Sequence, residues 1–261
     1  MPPPNPRLAA TAARLHRGTP WEPVGARPLR FDAAHPQGMV RIGRHWWIST
    51  VDVATTSGTV LVVDADGGTL VERDPVGAGV RFHPGGLDFD GEALWVASAE
   101  YRPRSSAVVE RLVPGEAPEV AFRADDHVGA VVRLGPSGDL VGWTWGSRRF
   151  LRWTVEGRLV ASARNPGHYV DLQDGQWLGG DDDLVLCGGV GPGPLGGLGL
   201  LRGGDLSVAR EVPFPHRSPA TGRAATQNPL FAEVVGGDMV VHLLPDDGTG
   251  AAVLSYATPL V

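Results

Sequence analysis

Four of the eight histidines, His35, His83, His127 and His168, lie 48, 44 and 41 residues apart. The first three each lead through a glycine into a short apolar run: His35-Pro-Gln-Gly-Met-Val, His83-Pro-Gly-Gly-Leu-Asp and His127-Val-Gly-Ala-Val-Val. Imidazoles at one repeat position can converge on a point. A divalent transition metal (Zn, Fe, Mn, Ni or Cu) is the cofactor such a set would hold. The same histidines also suit substrate binding or a structural role within each repeat. Asp171 or Asp174 fits the fourth repeat position almost as well as His168, and the fifth copy carries the amides Gln227 and Asn228 there.

Two carboxylates follow the same register. Asp52 and Glu100 each stand 17 residues after their repeat's histidine. Asp52 reads as a solvated strand end. Glu100 precedes Tyr101 and Arg102, and we expect it to serve as general acid or base. Arg102, Arg104, Arg148 and Arg149 fall in two loops, and guanidinium forks recognise carboxylate or phosphate. Arg148 and Arg149 are therefore expected to clamp an anionic substrate. Tyr101, Arg102, Trp145, Gln227 and Asn228 are expected to line its pocket.

Those residues need a scaffold that returns to one place at each repeat. After each histidine come an apolar strand, a Gly-containing turn and a second apolar strand, which is a hairpin signal. Third strands are expected at 59–64, 107–112, 150–155, 198–201 and 252–256. Fourth strands are expected at 70–74, 119–122, 159–162 and 207–212. A period of roughly 40–50 residues with four strands each is the signature of propeller blades. The expected fold is all-β: a five-bladed β-propeller in residues 21–261. The fifth blade lacks a fourth strand of its own, so the segment 23–31 is expected to complete it and close the ring. Residues 1–20 form a tail or a short helix, since Leu8, Ala12 and Leu15 recur at helical spacing.

In this antiparallel layout the starts of first strands and the ends of second strands share one face. The histidines, Glu100 and the arginine loops then meet at one mouth of the channel. The Gly turns and Asp181-Asp182-Asp183 fall on the other. Gly191-Pro-Gly193-Pro-Leu-Gly196 matches a dinucleotide fingerprint in letters only, because it opens no helix.

The net charge of −6 and the lack of a long basic run argue against nucleic acid and anionic membrane as partners. The single cysteine, Cys187, allows no internal disulfide. With no apolar leader at the start, this points to a cytoplasmic protein. The partner left is a small-molecule substrate, and the sequence leaves the oligomeric state open.

The blocks HPQGMVRIG (35–43), GGLDFDGEALWVASAEYRP (85–103), DDHVGAVV (125–132) and WGSRRF (145–150) resemble a bacterial family of propeller-like proteins of unknown function. More distantly, the layout resembles senescence-marker lactonases and strictosidine-synthase-like proteins. That resemblance implies a channel-mouth site, but the lactonases hold their metal mainly with carboxylates and amides, so the ligand set does not carry over. The expected function is a metal-dependent hydrolase or lyase acting on a small anionic molecule. One alternative is a non-catalytic propeller that binds a ligand or protein through the same face. Another is an iron- or copper-dependent oxidoreductase.

Overall fold

The computed structural model describes residues 5–135, 138–167, 169–193 and 195–261. The chain opens with helix α1 (Pro6–Arg14), whose cap Asn5 accepts from the N–H groups of Arg7 and Leu8. Strand β1 (Glu22–Pro28) follows. The rest is a series of antiparallel strands: β2 (His35–Ile42), β3 (His45–Asp52), β4 (Ser57–Asp64) and β5 (Leu70–Val76), then β6 (His83–Phe89), β7 (Leu94–Ala99), β8 (Ala107–Leu112) and β9 (Glu119–Ala124). Next come β10 (Ala130–Arg133), β11 (Leu140–Trp143), β12 (Arg149–Trp153) and β13 (Leu159–Arg164), followed by β14 (Asp171–Gly179), β15 (Leu184–Val190), β16 (Gly196–Arg202) and β17 (Ser207–Phe214). The chain closes with β18 (Leu230–Val235), β19 (Asp238–Leu243) and β20 (Ala252–Pro259).

The sheets are β2-β3-β4-β5, β14-β15-β16-β17, β1-β20-β19-β18 and an eight-stranded sheet. The last is two four-stranded runs joined by a single parallel pairing, Ala130 opposite Gly86. β1 pairs antiparallel with β20, from Glu22 opposite Ala257 to Pro28 opposite Ala252. The fold is all-β and propeller-like. A short helix forms where the sequence allowed a tail or a helix, and β1, which overlaps the 23–31 stretch as far as Pro28, pairs with β20.

Local chemistry explains the hairpins. Ile42 pairs with His45, so only Gly43 and Arg44 turn the chain, and Gly43 takes the positive φ (59°) that such a turn needs. Middle strands such as β3, β7 and β15 are nearly all buried, whereas β13 is mostly exposed. Apolar layers fill the gaps between neighbouring sheets. One joins Val60 and Val62 of β4 to Leu87, Leu94 and Val96. Another joins Leu244 and Val253, near the end of the chain, to Met39, Trp46 and Leu61, near its start. Helix α1 buries Leu8, Ala9 and Ala12 in the layer that also holds Leu186, Leu200 and Met239.

The first strands β2, β6, β10, β14 and β18 approach one another along the axis expected to be the channel. Its waist is tight. A Cβ on Gly38 would lie 2.5 Å from the Leu87 nitrogen, and one on Gly86 would lie 2.5 Å from Asp174 Oδ1. Asp174 is fully buried there. Its Oδ2 accepts from the N–H groups of Met39 and Leu230, both at 3.0 Å, which ties β14 to β2 and β18. Burial pushes this carboxyl well above the usual aspartate range.

Candidate active site at the histidine end of the channel

The heads of β2, β6 and β14 lie at one end of the channel. There His35, His83, His127, Tyr101, Trp145, Asp171 and Gln173 line a cup of about 200 Å³. Each histidine is held differently. His127 is 5% exposed, and its Nδ1 lies 3.0 Å from the carbonyl oxygen of Glu100. A carbonyl only accepts, so Nδ1 carries the proton and Nε2 keeps a free lone pair. Burial lowers its pKa, so the ring is neutral near neutral pH. His35 Nδ1 donates to Asp247 Oδ1 at 2.7 Å, which leaves its Nε2 free as well. Burial opposes ionisation of Asp247, but its bonds to His35 and to Arg223 hold the carboxyl below its ordinary value. His83 stacks on Tyr101 with ring centroids 4.6 Å apart, and lies 6.3 Å from His127. Burial, with His127 and His35 nearby, pushes His83 down to about 4. Trp145 closes the side, edge-on to His127 at 4.8 Å.

A larger cleft of about 1120 Å³ adjoins the cup, and Thr144, Trp145, Gly146 and Asp171 line both. Arg104, Arg148, Arg149 and Arg164 bring positive charge to it, against Asp126 and Asp171. Arg149 also bonds Ser162. Burial raises the pKa of Asp171, even though Ser147 and Arg148 favour its charged form. The sequence offered Asp171 only as a substitute for His168, which lies outside the described residues. Nothing near Asp247 in the sequence marks it as the partner of His35, because the two are 212 residues apart.

Three placements differ from the sequence reading. His127 precedes its strand rather than leading it: β10 begins at Ala130, and the Gly129 carbonyl before it accepts from the Gly86 N–H. The Glu100 carboxylate lines neither cavity. Ser106 Oγ (2.7 Å) and the Arg102 guanidinium (2.8 and 2.9 Å) hold it, and those bonds lower its pKa. Arg102 is spent in the same pair, so the side chains of both are committed to each other, and Glu100 serves the site through its backbone carbonyl. Gln227 and Asn228 also lie outside the linings, and Asn228 is buried. By contrast, Tyr101 and Trp145 line the cup, and Arg148 and Arg149 line the cleft, where the sequence put them.

The fit to a metal is incomplete. A tied Nδ1 with a free Nε2, as in His35 and His127, is the arrangement of ligating histidines. Yet among the described residues no three His, Cys, Asp or Glu side chains come together as a ligand set. His168, the fourth expected ligand, lies outside the described residues, and the three histidines that are described bring no carboxylate or thiolate into a shared ligand set.

A model of DUF6454, a family of unknown function, matches residues 6–261. No curated protein sequence matches the chain. Among solved structures, a gluconolactonase from Xanthomonas campestris is 12% identical, with 92% of this chain and 97% of that one covered at a TM-score of 0.51. A luciferin-regenerating enzyme is 7% identical, with 92% and 98% covered at 0.50. An exo-β-1,3-galactanase from Phanerochaete chrysosporium is 11% identical, with 92% and 66% covered at 0.57. At such identities the likeness is one of fold.

Proposed function

We propose, for a chain that belongs to the DUF6454 family, that its sheets are the blades of a closed five-bladed propeller and that the histidine cup is the active site of a hydrolase. The substrate is a small carboxylate-bearing ester or lactone. The observation that carries this reading is the buried, neutral His127, whose free Nε2 shares a cup with His35 and opens onto an arginine-lined cleft. The blade reading rests on the four-stranded runs and on the β1–β20 pairing. Lactones come first because the gluconolactonase shares the fold, which is an analogy of scaffold alone.

The chemistry follows from the side chains. Arg148 and Arg149 hold the substrate carboxylate. His127 Nε2 takes a proton from water as its oxygen attacks the ester carbonyl carbon. The resulting imidazolium returns that proton to the departing alkoxide when the C–O bond breaks, so acid and alcohol leave and the ring is neutral again. Trp145 and Tyr101 screen the cup from bulk water. The His35–Asp247 pair provides a second fixed imidazole to orient the attacking water.

The test is turnover of a panel of small hydroxy-acid lactones and esters by the purified chain, with His127→Ala as control. We expect hydrolysis that drops at least about a hundredfold in the variant, the usual contribution of a positioned base. Saturable binding of panel members with no turnover would overturn catalysis in favour of a binding propeller.

A further inference from the structure

We propose that the opposite end of the channel is a second binding site, for a small organic ammonium ion with a flat apolar body. The far ends of the same inner strands enclose a cavity of about 210 Å³, separated from the histidine cup by the Gly38–Gly86–Asp174 waist. Its walls are Val40, Phe89, Trp177 and Phe231, with Leu8 of helix α1 at the rim. The Trp177 ring is fixed by its Nε1 bond to Asp183.

Elimination among the polar lining groups identifies the ligand chemistry. Asn5 caps the helix. Gln176 bonds Ala232 through both its oxygen and its nitrogen. Glu233 is shared between Arg41 at 2.7 Å and His242 at 3.1 Å. Asp88 differs from all of these. It is 6% exposed, and its hydrogen-bond partner is the backbone N–H of Arg133, at 2.9 Å. It forms no ion pair among the described residues; the nearby Arg133 side chain faces Asp90 and lies over Trp95 instead. A carboxylate held by a neutral donor, beside aromatic walls, lacks only a cation. An ammonium would supply a charge-assisted bond to the acid, and the rings would favour it further. The rival occupant is an anion, because Arg41 Nε is buried without an acceptor.

Benzylamine is the probe, with benzyl alcohol and benzoate as controls, titrated into the isotope-labelled full chain at about pH 8 and followed by amide shifts in NMR. The expected result is saturable binding of benzylamine that moves the amides of Arg133 and Phe89, weakens at least tenfold in Asp88→Asn and is unchanged in His127→Ala. Equal binding of benzyl alcohol, preference for benzoate, shifts gathered at Gly129 and Trp143, or no saturation by benzylamine would each overturn the proposal. Should Asp88→Asn fail to fold, the wild-type shift pattern and the three-ligand ranking decide alone. Neither outcome bears on the histidine cup, because the waist separates the two sites.

Discussion

Replacing Asp88 by asparagine is expected to stabilise the protein at neutral pH relative to acid. Burial raises the Asp88 pKa from 3.8 to about 7, and Asp90 nearby acts in the same direction. Between those values the native protein keeps a proton that the unfolded chain has released, so stability falls as pH rises. The contribution is fully present below the unfolded value and is gone above the folded one. At about 1.4 kcal/mol per pH unit over roughly three units, the ceiling is about 4 kcal/mol, and relaxation around the charge brings the expected change to about 2–4 kcal/mol. Asparagine keeps an oxygen for the Arg133 N–H and has no proton to lose. The assay is urea unfolding of both proteins by tryptophan fluorescence at about pH 4, 5.5, 7 and 8.5. The fixed cost of the substitution cancels when the variant-minus-wild-type difference is followed with pH. That difference should climb in favour of the variant from pH about 4 to about 7 and then level off. A flat difference would refute the argument and mean that Asp88 is effectively solvated.

Three further outcomes are expected. Glu100→Gln should leave turnover within about threefold of wild type in the lactone assay, because its backbone carbonyl, not its carboxylate, serves His127; a hundredfold loss would restore Glu100 as the acid or base. Asp174→Ala should cost about 3 kcal/mol or more in urea unfolding, since it strands the buried Met39 and Leu230 N–H groups, while Asp174→Asn should cost less; equal losses would mean the staple contributes little. Dialysis against a chelator should leave turnover unchanged, because the proposed proton transfers use side chains alone; loss that added zinc restores would put a metal in the cup.

Much of the strand layout was legible because apolar runs broken by Gly turns are local signals. The repeat brought His35, His83 and His127 to one end, and their neighbouring loops placed Tyr101, Trp145, Arg148 and Arg149 there too. What escaped was set by pairing between distant segments. Asp247 reaches His35 across 212 residues, and Arg102 turns back on Glu100 because Ser106 and the loop carbonyls fold that hairpin tightly. Both carboxylates look equally available in one dimension. Asp174 stood in the sequence only as an alternative to Asp171 and His168 at the fourth repeat position, and Asp88 carried no signal of its own. Asp174 is buried where the inner strands converge, and Asp88 lines the cavity at their far ends. The second cavity has no sequence mark at all, because its walls come from the unremarkable ends of several repeats.

The pairing of β1 with β20 has a consequence for how the chain is made. Synthesis delivers Glu22–Pro28 first and its partner Ala252–Pro259 last, so at about 5–20 residues per second the early strand waits roughly 10–45 seconds for a mate. A nascent strand left bare that long invites pairing with a neighbouring ribosome's product. This one is poorly suited to such capture. It carries Pro23 and Pro28, which offer no N–H, along with charged Glu22 and Arg27, and every one of its residues remains exposed even in the finished fold. Its composition suits the wait during synthesis as much as its final place at the sheet edge.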